Sequence, residues 1–235
     1  LSTLPFIRYV QMMQGQVVPM WRDGQVRTYL RWTAYAIALV VAWRVVVNDR
    51  PVLDTLHDSA FNVVSLFTGT GFGSGDVLAW GPLPFVVLLI CGFIGGCTSS
   101  TGCSVKVFRY MVMIAAIRAQ IRRILSPNAV QPIRLDGRVL DSEVIRSVIV
   151  FFTLFVLSFG VLAVALALSG LQPTTALTAA WTAIANIGPA FGAEVSANGA
   201  VDQFPALAKW LMMFGMLVGR LELLSVYGLH EFAFF

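Results

Sequence analysis

The sequence predicts an all-α membrane protein built from tandem units, each a span, a re-entrant half-helix with a glycine loop, and a second span. Three observations carry this. The 235 residues are 57% hydrophobic and only 12% charged, against about 25% charged in soluble domains. The mean hydropathy is +0.79, as expected of a chain immersed in lipid. Two apolar segments too short to cross a bilayer each run into glycine, and they occupy matching places in the chain.

Residues 1–31 carry Arg8, Arg22, Arg27 and Arg31 among polar, Pro and Gly positions. They read as a short interfacial helix and a linker, a lead-in to the membrane region. The first span covers residues 32–47, with Arg44 near its end and able to snorkel to the interface. Residues 48–51 form a turn outside the membrane.

Residues 54–67 are apolar but too few to cross a hydrocarbon core of about 30 Å. Asp54 is placed to cap the helix N-terminus, where its charge suits the dipole. The segment breaks at Thr68, Gly69, Thr70, Gly71 and Phe72. An apolar run over residues 79–94 then meets Gly95, Gly96, Cys97, Thr98, Ser99, Ser100, Thr101 and Gly102. Glycine and hydroxyl residues together weaken a helix there, so the second span of the unit is broken. Helix resumes over residues 105–124. Irregular backbone at membrane depth survives only where protein buries it or where it lines a cavity. Residues 95–102 are thus a candidate gate, or a hinge with close helix packing.

Residues 126–146 are a polar connecting loop. The next span covers residues 147–168 without a charge. Residues 173–186 form the second short segment, with Pro173 at a helix-starting position. It breaks at Asn186, Ile187, Gly188, Pro189, Ala190, Phe191 and Gly192. The last span starts near residue 205, runs to about 229 and contains Arg220 and Glu222. The two units are residues 32–125 and 147–235, and Gly71 corresponds to Gly188, 117 positions later. Paired Gly/Pro-interrupted short segments mark a binding or conduction site.

Fourteen of the 16 basic residues are arginine. They crowd residues 8–31 and 109–146, which places both termini in the cytoplasm by the positive-inside rule. Such a distribution suits a lipid bilayer surface and does not call for nucleic acid. Both half-helices then enter from outside. Backbone carbonyls can replace the water around a cation, and glycine reaches the backbone conformations this needs. Thr68, Gly69, Thr70 and Gly71 form one candidate filter strand, and Ala185, Asn186, Ile187 and Gly188 the other. Asp58, Asp76, Glu194 and Asp202 lie outside and raise the local cation concentration. Arg220, deep in an apolar span, reads either as an electrostatic barrier in the pore or as a structural partner of Glu222 or of capping carbonyls. Lys106 and Arg109 contact the gate or the lipid interface. His57 and His230 read as structural.

Cys91, Cys97 and Cys103 read as small packing residues; no histidine lies near them as a metal ligand. No His–carboxylate set supports Cys97 or Cys103 as an enzyme nucleophile, so the chain is not read as an enzyme. The glycine spacing fits neither a dinucleotide fingerprint nor a phosphate loop, and no cofactor is expected. The chain begins with Leu1, carries no recognisable signal peptide, and reads as a fragment.

Phe67 to Gly73, Asn186 to Gly192, Gly95 to Gly102 followed by Lys106 and Arg109, and Gly219-Arg220-Leu221-Glu222 together resemble the Trk/Ktr/HKT superfamily of potassium transporters. The resemblance covers nearly the whole chain, which corresponds to the C-terminal half of a family member. In that family four units surround one pore. The resemblance implies filter glycines at Gly71 and Gly188, K⁺ held at Thr70, Gly71, Ile187 and Gly188, and a gate formed by Gly95, Gly96, Thr98, Ser99, Ser100, Thr101, Gly102 and Arg220. It also implies two further N-terminal units, a homodimer, a cytoplasmic nucleotide-binding regulatory subunit of the TrkA/KtrA type, and residence in a bacterial cytoplasmic membrane. Gly69 stands where the family usually has threonine, and Ala190 where glycine is common. Potassium uptake is the expected function. A Na⁺-permeable relative and a non-conducting partner subunit are the alternatives.

Overall fold

The computed structural model describes residues 3–16, 18–75, 77–98, 104–126, 133–135, 138–195 and 200–220. Two short helices lead in, α1 (Phe6–Met13) and α2 (Val18–Arg22). The first long helix, α3, spans Gly24–Asn48. It begins well before residue 32, the expected start of the span. The reason is a cap: the Asp23 carboxylate accepts the Gln25 amide at 3.0 Å, and that carboxylate is itself held by Arg8 at 3.0 Å. A capped polar end lets the helix run beyond its apolar stretch. At 25 residues α3 is about 37 Å long, enough to span a bilayer.

The short helix α4 is Val52–Thr68. Pro51 rather than Asp54 occupies the N-cap position, and Asp54 sits in the first turn. Proline's fixed φ starts the helix earlier than the acid does. A 3₁₀ turn over Val77–Trp80 leads to α5 (Pro82–Phe93), 12 residues long. The chain then leaves helical geometry, and α6 resumes over Val107–Leu125. The helix break expected near residues 95–102 is therefore present between α5 and α6.

Two-residue strands β1 (Arg134–Leu135) and β2 (Arg138–Val139) pair antiparallel in the connecting segment. The second long helix, α7, is Ser142–Leu168. It too starts before the expected residue 147, because Asp141 caps it through the Glu143 amide. The helix α8 is Pro173–Ala185, with proline in its first turn as expected. The helix α9 is Ala206–Arg220. Among the described residues, α3 and α7 are long and apolar enough to cross a membrane.

The side chains separate into two buried groups. Val40, Val63, Phe67, Leu88 and Cys91 gather where α3, α4 and α5 meet. Phe155, Leu162, Ala179, Ala183 and Met212 gather where α7, α8 and α9 meet. Phe93 and Trp181 join them. Phe93 meets Phe159 edge-on at 5.4 Å, and Trp181 Nε1 donates to the Leu89 carbonyl at 3.0 Å. Gly92 has no Cβ to block the Trp181 ring. The helix α8 is enclosed nearly all round: Thr175, Thr178 and Thr182 are all buried. Thr178 bonds back to the Thr174 carbonyl at 3.1 Å, which satisfies its hydroxyl inside the bundle.

Cys91 and Cys97 are free thiols packed among buried side chains. Cys103 lies outside the described residues, as do Asp76, Glu222 and His230.

Candidate functional site

The two glycine segments repeat one backbone conformation. Thr68 and Ala185 are the last residues of α4 and α8. The next residues, Gly69 (φ 70°) and Asn186 (φ 53°), are left-handed. Two positions on, Gly71 (φ 72°) and Gly188 (φ 119°) again have positive φ. Gly69 takes its conformation at little cost. Asparagine is one of the few other residues that tolerates it.

The segments also meet. A Cβ added to Gly71 would collide with the Ile187 carbonyl oxygen and come within 2.8 Å of Pro189 Cδ. Gly188 faces the Gly71 Cα. Residues 116 and 117 positions apart thus lie side by side, with the C-terminal ends of α4 and α8 behind them. Neither helix has a basic residue in its last turn. Their partial negative ends are left unneutralised, which favours a cation in front of them.

The hydrogen bonds divide the eight predicted filter residues. The Thr70 and Gly71 amides both turn inward to the Ser65 carbonyl, at 3.0 and 3.3 Å. The Ile187 amide turns inward to the Thr182 carbonyl at 3.2 Å, and the Gly188 amide to the Thr182 hydroxyl at 2.8 Å. Among the described residues none donates to the carbonyls of Thr70, Gly71, Ile187 or Gly188. Ala185 differs. Its carbonyl accepts the Ser104 hydroxyl at 3.1 Å, so it is committed within the protein. Thr68 and Ala185, expected in extended strands, close the helices instead. Thr68 Oγ1 bonds back to the Val64 carbonyl at 2.8 Å and lies 2.9 Å from Thr70 Oγ1.

Beyond the glycines, each segment is tied back to its own half-helix. The buried Asn62 donates to Ser74 Oγ at 2.7 Å and accepts the Ser74 amide at 3.3 Å. The Phe191 amide donates to Thr178 Oγ1 at 3.1 Å. Glu194 reaches the start of α8: its carboxylate accepts the Gln172 amide at 2.8 Å and the Thr175 hydroxyl. These bonds, from the Thr175 hydroxyl first and the Gln172 amide next, hold its carboxyl below the ordinary range. Glu194 therefore also caps the start of α8.

The chain between α5 and α6 closes on itself at a neck. Ile94 and Val105 form a parallel bridge, the Gly95 amide donates to the Val105 carbonyl at 2.8 Å, and the Val107 amide to Gly96 at 3.1 Å. Gly95 has no room for a Cβ against the Ser104 backbone. The Thr98 amide and hydroxyl both reach Gln25 Oε1, at 3.0 and 2.9 Å. Of the predicted gate residues, Ser99, Ser100, Thr101 and Gly102 lie outside the described residues. Arg220 closes α9 and is exposed. Its neighbour Gly219 packs against the Ile184 carbonyl and Asn186 Nδ2, and that amide donates to the Met216 carbonyl at 3.0 Å. The helix bearing Arg220 therefore runs directly behind the second glycine segment. Arg109 lies over the Phe151 ring at 3.7 Å, a cation–π contact.

Arg44 overturns its expected role. It does not snorkel but is buried. Its guanidinium lies 4.0 Å from the Trp80 ring centroid, donates to Ser59 Oγ at 3.1 Å, and sits 3.7 Å from Asp58. Asp58, whose side chain stays largely exposed, is thus paired across the α3–α4 contact.

A family model described as TrkH, cation transport protein, matches residues 25–230. The chain is 38% identical over 225 residues to the Trk system potassium uptake protein TrkI of Halomonas elongata, covering 96% of this chain and 46% of that protein. It is 34% identical over 209 residues to the Trk system potassium uptake protein TrkH of Salmonella typhimurium, covering 88% and 42%. The crystal structure of the potassium transporter TrkH from Vibrio parahaemolyticus superposes with a TM-score of 0.88 at 28% identity, over 97% of this chain and 49% of that one. The chain spans about half the length of the relatives it matches. It is a membrane protein of the TrkH family of cation transport proteins.

Proposed function

We propose that this chain supplies two of the four filter segments of a potassium uptake protein in a bacterial cytoplasmic membrane, with both termini in the cytoplasm. In this reading α4 and α8 are re-entrant half-helices entering from outside. The single observation that carries it is the paired backbone at residues 68–71 and 185–188, whose inward amides leave the carbonyls of Thr70, Gly71, Ile187 and Gly188 open to a cation. Such carbonyls substitute for a hydration shell without a fixed charge. The relatives' names, Trk system potassium uptake proteins, supply the ion. Residues 95–102 and Arg220 form the gate on the inner side, with the arginine as an electrostatic barrier to cations. The whole protein forms a homodimer and works with a nucleotide-binding regulatory subunit of the TrkA/KtrA type.

The test is cation flux through the full-length protein in vesicles. Potassium uptake that resists excess Na⁺ is the expected result. Equal passage of Na⁺ sinks the potassium assignment. Replacing Arg220 by alanine should raise or alter the flux; unchanged flux assigns the arginine to structure alone.

A further inference from the structure

A cavity of about 520 Å³ lies between residues 28–32 of α3, residues 111–122 of α6 and strand β1. That is within the roughly 300–1,000 Å³ of ordinary ligand sites. It is separate from the glycine segments and from the loop neck. Arg31, Arg118, Arg122 and Arg134 all line it, and among the described residues no carboxylate does. Among the described residues no acid pairs with any of the four.

The α6 wall is graded along one helical face. Met111, Ile114, Arg118 and Arg122 follow at steps of three and four, so they share a stripe. The stripe turns from apolar to basic over about 16 Å. Opposite it stands Trp32, whose ring meets Tyr110 edge-on at 6.1 Å. Tryptophan belongs at a membrane–water boundary. The stripe therefore passes through that boundary at the depth of Trp32, with its arginines on the polar side.

Four guanidinium groups around one concavity repel one another, and an anion between them relieves that repulsion. Their planar forks suit a phosphate. A free phosphate would satisfy the arginines and leave the Met111 and Ile114 wall facing water. A phospholipid satisfies both ends at once, and basic pockets between membrane helices take anionic headgroups. We propose that this cavity binds an anionic phospholipid, its phosphate held by Arg118, Arg122, Arg31 and Arg134 and its upper acyl chain lying along Met111, Ile114 and Trp32.

The experiment is native mass spectrometry of the purified full-length protein, titrated with phosphatidylglycerol or phosphatidylcholine. The wild type should retain phosphatidylglycerol in preference. The double variant Arg118→Gln/Arg122→Gln should bind it about 30-fold more weakly, taking roughly five-fold per arginine at an anionic surface. Arg31→Gln/Arg134→Gln, on the other walls, should weaken it similarly and guards against a folding defect in the first pair. The control Arg27→Gln/Arg123→Gln removes the same charge outside the cavity and should retain wild-type binding. Equal loss in the control and cavity variants would mean bulk charge alone and overturns the site. Displacement of the lipid by inorganic phosphate at matched concentration would overturn the lipid assignment in favour of a phosphate site. Absence of any preference in the wild type overturns the proposal outright.

Discussion

The Ser104 hydroxyl lies 3.1 Å from the Ala185 carbonyl and 2.8 Å from that of Gly92. One side chain thus joins the neck between α5 and α6 to the end of α8, which carries the second glycine segment. The partners are 81 residues apart in sequence. Any displacement of the neck is felt at residue 185, immediately before the backbone turns left-handed.

Ser104→Ala removes this link and leaves two buried carbonyls with one donor fewer. The expected cost is about 1 kcal/mol, the usual net value of such a bond. Thermal unfolding should show a small loss of stability, while potassium flux and its discrimination against Na⁺ shift more than that loss explains. Flux identical to wild type would confine Ser104 to structure.

The glycine positions should not be equally sensitive. Gly69→Ala meets open space and suffers only its positive φ, a penalty of about 1 kcal/mol. Gly71→Ala adds a collision with the Ile187 backbone, which cannot swing aside. Flux measured for both should fall mildly in the first and at least ten-fold in the second. The reverse order would contradict the close approach of the two segments.

Arg44→Lys keeps the charge but loses the planar group over Trp80 and the fork toward Ser59 and Asp58. We expect a loss of about 1–2 kcal/mol in unfolding stability. Arg44→Met should cost more, because the buried Ser59 hydroxyl loses its donor. Chemical denaturation of the two variants ranks them, and equal stability of both with wild type would mean that the cluster contributes nothing.

Glu194 gives a pH dependence. Hydrogen bonds hold its carboxyl below the ordinary value of 4.5. A depressed folded value means that the stabilisation is fully present above 4.5 and disappears as pH falls through the lower, folded value. The melting temperature of wild type should exceed that of Glu194→Gln at pH 7, and the gap should close in acid below pH 4.5. A gap independent of pH would show that the charge on Glu194 does not cap α8.

The short helices α4 and α8 and the glycine positions that end them were legible because they are local. Helix length, proline at a first turn and glycine at a left-handed position are read from adjacent residues. The ends of α3 and α7 were less legible, because Asp23 and Asp141 caps extend helices into polar sequence that hydropathy alone assigns to loops. Arg44 was misplaced for a related reason: a span-end arginine reads as snorkelling until Ser59, 15 residues away, and Trp80 are brought around it. Glu194 carries no sequence mark of its partner, Gln172, 22 positions earlier. The graded face of α6 was visible as a run of arginines, but its closure against Trp32 and β1 required the fold.

The neck between Ile94 and Val105 has a consequence for time. The chain leaves α5 and re-enters α6 at almost the same point, tied by the Gly95 amide to Val105 and the Val107 amide to Gly96. Backbone bonds this few can open locally while both helices stay folded. The amides of the neck should therefore exchange with solvent sooner than those in the middle of α3 or α7, and hydrogen exchange measures the difference.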